Sequence, residues 1–208
     1  MHLFTVGILR QPRGSATLPL LSGPKEAHVT YYGAKQMQAS FDTVRKNTIT
    51  IAEEIPADQY GFRAAPGTKS VAELLAHLAV APNWQIDLHG EHVSFVDFAF
   101  FGARLAQGAA AEQALATRDA ILKALREDGG RFSRFLGGLS EATLEETVSF
   151  PPPIQPSTKT RFEMLLGVKE HEMHHRGQLM LIERMLGIVP HLTRTREAAR
   201  AQAAGGAR

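Results

Sequence analysis

The chain has 208 residues, 44% of them hydrophobic, which suffices for one good core and predicts one domain with tails. It contains no cysteine, so disulfides, thiolate metal ligands and a cysteine nucleophile are excluded. The net charge of +2 is unevenly spread: residues 1–25 carry +3 through Arg10, Arg13 and Lys25, and residues 191–208 carry +3 through Arg194, Arg196, Arg200 and Arg208 against Glu197, leaving −4 for residues 26–190. A phosphate-binding face needs a cationic cluster on the folded body, so nucleic acid is not an expected partner. No stretch approaches the roughly 20 continuous apolar residues of a membrane span. The N-terminus lacks the layout of a signal peptide, its apolar residues being broken by Gly7, Pro12, Gly14 and Pro19. A cytoplasmic protein is expected.

Residues 1–33 are rich in Gly, Pro and Ser without a sustained period and read as a flexible tail. Met37, at the start of the first periodic segment, is an alternative start position. A first helix is predicted over about 35–55, with Met37, Phe41, Val44, Thr48, Ile51 and Ile55 inward and Pro56 ending it. After a loop at Tyr60–Gly67, Ser70 caps a second helix, with Glu73 completing a capping box, and this helix is expected to run to about Gly90. Residues 91–111 hold Phe95, Phe98, Phe100 and Phe101, too dense for one amphipathic face. They predict a broken or short extra helical segment covering a pocket or a homodimer contact. A third long helix is expected from about Ala111 to Leu136, weakened or kinked at Gly129-Gly130. Ser140–Glu146 reads as a short capped helix, and Phe150–Pro156 as a rigid non-helical crossing. Thr160 opens the last helix, which ends near Gly187 and Pro190. Residues 191–208 read as a polar basic tail. With no convincing strand, four long helices make an all-α four-helix bundle over 34–190 the natural architecture.

The last helix carries His171-Glu172-Met173-His174-His175. His171 and His175 lie one turn apart, a spacing that suits two neighbouring positions of a divalent metal. Their phase matches Met164, Val168, Leu179, Ile182 and Leu186, an inward stripe on which an unpaired imidazole is costly. His174 falls off that stripe. A catalytic metal site needs three protein ligands and an open position. Of the other histidines, His2 and His28 fall in the tail, His191 follows Pro190, and His89 and His92 flank Gly90 and are expected to reach solvent. His77 shares a stripe with Ser70, Leu74, Ala81, Trp84 and Leu88 and is aimed inward. The alternative for all three is a set of core histidines that only hydrogen-bond.

Helix two, with Glu73-Leu74-Leu75-Ala76-His77-Leu78 and Trp84, and helix four, with His171 through Leu179 and Leu186-Gly187, together resemble the DinB-like, YfiT-type metal-binding superfamily over roughly residues 35–192. The resemblance places the metal ligands at His77, His171 and His175. It implies a four-helix bundle, usually homodimeric, holding zinc, nickel or a similar divalent ion. Its characterised members include thiol-S-transferases acting with a low-molecular-weight thiol and a thiol-dependent maleylpyruvate isomerase. By its chemistry a three-histidine ion activates either a bound thiol, for transfer, or a bound water, for hydrolysis. A metal-dependent thiol-S-transferase or hydrolase is therefore expected, with a non-enzymatic metal-binding or stress-response protein as the alternative. The two tails have no place in that pattern.

His171-Glu172-x-x-His175 also matches the signature of HExxH metallopeptidases, in which the glutamate activates a metal-bound water. That reading requires a neighbouring sheet, and no strand-like segment precedes the motif. Glu172 sits about 100° around the helix from His171 and is expected to make surface ion pairs with Lys169 or Arg176. Asn83, Trp84, Asp87, Tyr60 and Arg63 are candidate pocket residues; no catalytic residue is assigned.

Overall fold

A computed structural model describes residues 32–205. The chain runs α1 (Ala34–Glu54), α2 (Val71–Val80), α3 (Asn83–Gly90), α4 (Phe98–Ala114), α5 (Arg118–Gly138), α6 (Glu141–Glu145), β1 (Thr147–Ser149), β2 (Thr158–Thr160), α7 (Arg161–Met185) and α8 (His191–Gly205). Helices α1, α2, α5 and α7 form the four-helix bundle: α5 and α7 each pack on both α1 and α2, which places α1 and α2 on a diagonal. No helix among the described residues is long and apolar enough to cross a membrane.

Local chemistry sets the helix ends. Ser70 Oγ accepts from the Glu73 amide at 3.2 Å while Glu73 Oε2 accepts from the Ser70 amide at 2.8 Å, the capping box read from the sequence. Thr160 and Glu163 make the same reciprocal pair at the start of α7. The far end of α7 is closed by Gly187, whose φ of +80° lets the Ile188 amide reach back to the Glu183 carbonyl at 2.7 Å.

Several expectations are corrected. The predicted second helix is two, because Pro82 has no amide to offer the Leu78 carbonyl and the chain turns there into α3. The phenylalanine-rich region gives the extra helical segment expected there: Phe95 stands in a non-helical stretch, and residues 98–114 form one continuous helix, α4, longer than expected and capped by Asp97, which accepts from the Phe100 amide at 2.7 Å. It stays regular because it lies on the outside of α2 with none of its residues fully buried, so its aromatics need not share one core face. The third long helix begins at Arg118, not Ala111. A two-stranded antiparallel pair, with Val148 opposite Lys159, brackets the proline-rich crossing; its three-residue strands are too short to alternate visibly. Residues 191–205 are helical as α8 rather than an irregular tail, with no buried face to mark them in the sequence. The N-terminal tail reading for residues 1–33 falls, but for Tyr32 and Gly33, outside the described residues.

The apolar interior comes in two main blocks. One joins Ile51, Ile55, Leu74, Leu75, Leu78, Leu125, Leu179 and Ile182; the other joins Met37, Phe41, Phe132, Leu136, Leu165 and Val168. On α1, between Phe41 of one block and Ile51 of the other, lies Arg45, which is buried. Its Nε donates to Glu172 Oε1 at 2.9 Å, and its Nη2 donates to Glu172 Oε2 at 2.9 Å. The remaining protons go to the Leu125 carbonyl at 3.0 Å and the Leu78 carbonyl at 2.9 Å. The second of these is the carbonyl that Pro82 leaves without a helical partner. One guanidinium thus joins α1, α2, α5 and α7.

Two sequence readings change in consequence. Glu172 is not on the surface with Lys169 or Arg176; it is 1% exposed and consumed by Arg45. Gly129 does not kink α5, which runs unbroken to Gly138. A Cβ at Gly129 would lie 3.0 Å from Arg45 Cγ, so the glycine makes room for the arginine.

Removing one partner of a buried pair strands the other charge, at a cost of about 3–5 kcal/mol. Glu172→Gln is therefore expected to lower unfolding free energy by an amount of that order, read from denaturant curves; a change of a few tenths would show that the pair carries little.

Glu183, on α7, is fully buried, and neither carboxylate oxygen has a hydrogen-bond partner among the described residues. Burial, with Glu54 beside it, pushes its pKa up to about 7 against the pull of Arg194 and Arg184. The unfolded value is about 4.3, so the folded state holds an extra proton between the two, and stability falls as pH rises through that window. Glu183→Gln should raise the melting temperature at pH 8 and leave it nearly unchanged at pH 4.

Candidate metal centre

His77 comes from α2, and His171 and His175 from successive turns of α7. The structure brings all three together, with one ring nitrogen of each within 4.8 Å of the others. His77 Nε2 lies 3.0 Å from His171 Nε2, which lies 3.1 Å from His175 Nε2. Nitrogens that share one ion at about 2.0–2.1 Å with tetrahedral angles are themselves a little over 3 Å apart. The donor set therefore fits a divalent ion.

The opposite ring nitrogens explain the orientation. His77 Nδ1 is 2.7 Å from Glu112 Oε1, and His175 Nδ1 is 2.8 Å from Gln178 Oε1. Both oxygens accept, so each Nδ1 carries the proton and each Nε2 keeps its lone pair for the centre. His174 is not a fourth member: its Nε2 faces the Gln178 amide at 3.2 Å, so it supports the residue that supports His175. Burial, reinforced by the neighbouring His175 and His77, brings the His171 pKa down to about 4. Burial also lowers that of His175, against the Gln178 hydrogen bond. Both rings are thus favoured in the neutral form that can donate to a metal.

A cavity of about 760 Å³ opens beside the trio, with His77 and His171 on its wall. Asn83, Trp84 and Asp87 line it, as expected, as does Phe101 of α4. Phe95 and Phe98 point elsewhere, 51% and 58% exposed. Asp87 is held by Arg104 at 2.7 Å and orients no histidine. Tyr60 and Arg63 are not at the site: the Tyr60 hydroxyl donates to the Ala52 carbonyl at 2.6 Å, and Arg63 pairs with Glu73. His89, expected to reach solvent, is buried between Gln85 and Arg161, its pKa driven down to about 3 by burial and then by Arg161. The sequence reading missed Glu112. It lies 35 residues from His77, on the helix whose course was the hardest to assign.

The HExxH metallopeptidase geometry is not realised, since the Glu172 carboxylate is locked on Arg45 in the bundle interior.

Fold and site together define a four-helix bundle with a three-histidine constellation at the edge of an apolar cavity. The chain belongs to the DinB superfamily, whose sequence profile matches residues 40–179. Among solved structures it is similar to the DinB-like protein YjoA of Bacillus subtilis, at 22% identity and a TM-score of 0.55, over 73% of this chain and 92% of that one. It is also similar to YfiT of Bacillus subtilis, described as a probable metal-dependent hydrolase with an unusual four-helix bundle topology, at 19% identity and a TM-score of 0.59, over 79% and 93% of the two chains. No curated protein matches the sequence. The two likenesses support the bundle fold.

Hydrogen-bonded partners of metal-ligating histidines typically contribute 10–100-fold in affinity. If the trio holds zinc, Glu112→Ala is expected to weaken its binding by about that factor in a chelator competition without unfolding the bundle. Unchanged affinity would reduce Glu112 to a surface contact.

Proposed function

We propose that the protein is a metal-dependent enzyme acting on a small molecule, with His77, His171 and His175 holding a divalent ion, zinc or nickel, whose open position faces the cavity. The observation that carries this reading is the convergence of three Nε2 atoms, His77 to His171 at 3.0 Å and His171 to His175 at 3.1 Å, beside a ligand-sized space whose wall includes His77 and His171. A closed structural site would need a fourth protein ligand and no such space. The likeness to YfiT supports the same class.

A divalent ion bound by neutral imidazoles supplies uncompensated positive charge, which lowers the pKa of a water or thiol at its open position. The chain's own residues do the rest. Glu112 and Gln178 hold two rings in the donor tautomer, the half-buried His171 stays neutral, and the apolar wall keeps water scarce around the reacting groups.

Two reactions fit: transfer of a low-molecular-weight thiol to an electrophile, and hydrolysis. One observation favours thiol transfer. Hydrolysis through a metal-activated water is commonly assisted by a carboxylate that takes the proton, and the acids Glu112 and Asp87 on the cavity wall are engaged, with His77 and Arg104. A thiol of low pKa needs no such base.

Protons compete with metal for imidazole. With His171 held near 4 and His175 below its ordinary value, that competition is displaced below the pH of about 6.5 expected for free histidine. Metal content after dialysis should hold at pH 6.5 and fall toward pH 4. His175→Ala should lower metal content and remove thiol-transfer activity together. Full activity in metal-stripped protein would refute the reading.

A further inference from the structure

The cavity exists because small residues stand where a bundle would ordinarily carry large ones. Gly167 lines it from α7, one turn before His171, and a Cβ built there would meet nothing within 4 Å. Gly108 of α4 is equally open, and Ala81 and Ala111 add to the same wall. A glycine inside a helix is unfavourable relative to alanine, and at Gly167 no close approach of a neighbour requires it. What it leaves is space directly below a ligand histidine.

The polar groups facing that space are mostly spoken for. Arg104 is on Asp87, Lys69 is on Glu112, and Glu163 accepts from Thr160. The exceptions are Lys159, exposed on β2, and Asn83 Oδ1, which is buried without a hydrogen-bond partner among the described residues. Gln85 and Gln107 have their side-chain oxygens on His89 and Arg104, and the larger apolar part of the wall includes Trp84, Phe101, Phe150, Met164 and Val168. A peptide or nucleotide drawn into such a space would lose water from several donors and acceptors and find few partners.

We infer that the cavity takes a compact molecule with an apolar body, aromatic or alkyl, and a single metal-seeking head group, and that Gly167 is the residue that admits it. The head group rests on the metal reading above; the body does not.

The chain has one tryptophan, Trp84, and it lies on the cavity wall, so its emission reports occupancy directly. The test titrates the zinc-loaded protein with 2-naphthohydroxamic acid, with 2-naphthamide, which keeps the body and loses the chelating head, and with acetohydroxamic acid, which keeps the head alone. The first should bind saturably, the second at least tenfold more weakly, and the third without change in Trp84 emission over the same range. Gly167→Leu should weaken both naphthyl compounds at least tenfold while zinc content and melting temperature are not lowered. Acetohydroxamic acid binding as well as the naphthyl compound, or Gly167→Leu binding like the parent, would overturn the inference. A protein that takes up no zinc, yet binds 2-naphthamide in a Gly167-dependent way, would refute the metal reading and the head group while upholding the apolar body.

Discussion

The bundle is organised around a buried charge. Arg45 has entered the interior between two apolar blocks, and its hydrogen bonds reach three other helices: the Glu172 carboxylate on α7 and carbonyls on α2 and α5. A guanidinium is suited to this because its donors form a rigid planar fork and it keeps its charge when desolvated. An apolar side chain could fill the same volume. It could not satisfy the Leu78 carbonyl that Pro82 orphans, nor tie the helix turn bearing Glu172 to α1. Gly129 completes the arrangement by leaving room for the arginine stem.

The placement of the three histidines follows from that framework. Glu172 sits between His171 and His175 in sequence but points away from them, so one α7 turn is anchored inward by a carboxylate while its other side carries the imidazoles. The interruption at Pro82 separates α3 from α2, and Trp84 of α3 lines the cavity. Helix α4 then closes the outer side and delivers Glu112 to His77. The metal candidate, the cavity and the buried ion pair are faces of a few turns of helix.

Much of this was legible in the sequence. The four long helices showed in the apolar period, and the caps at Ser70, Thr160 and Gly187 read correctly because capping chemistry is local. The histidine trio could be assembled because all three break an inward stripe. What escaped was non-local. Arg45 and Glu172 are 127 positions apart, and His77 and Glu112 are 35 apart. Nothing in a short window tells an arginine bound for the interior from one on the surface. Pro82 was a visible signal of the break between α2 and α3, outweighed by an apolar stripe that runs through it. The stretch at 191–205 has no buried face, so periodicity could not reveal its helix.

The candidate ligand set is split unevenly, two histidines on α7 and one on α2. The pair sits on successive turns of one helix; the third nitrogen is in place only when α2 is docked. Binding and docking are then one equilibrium. An ion that recognises only the assembled trio adds RT ln(1 + [L]/Kd), about 2.7 kcal/mol at a free concentration one hundred times Kd. The concentration of free metal would then set how tightly the wall of the cavity is held.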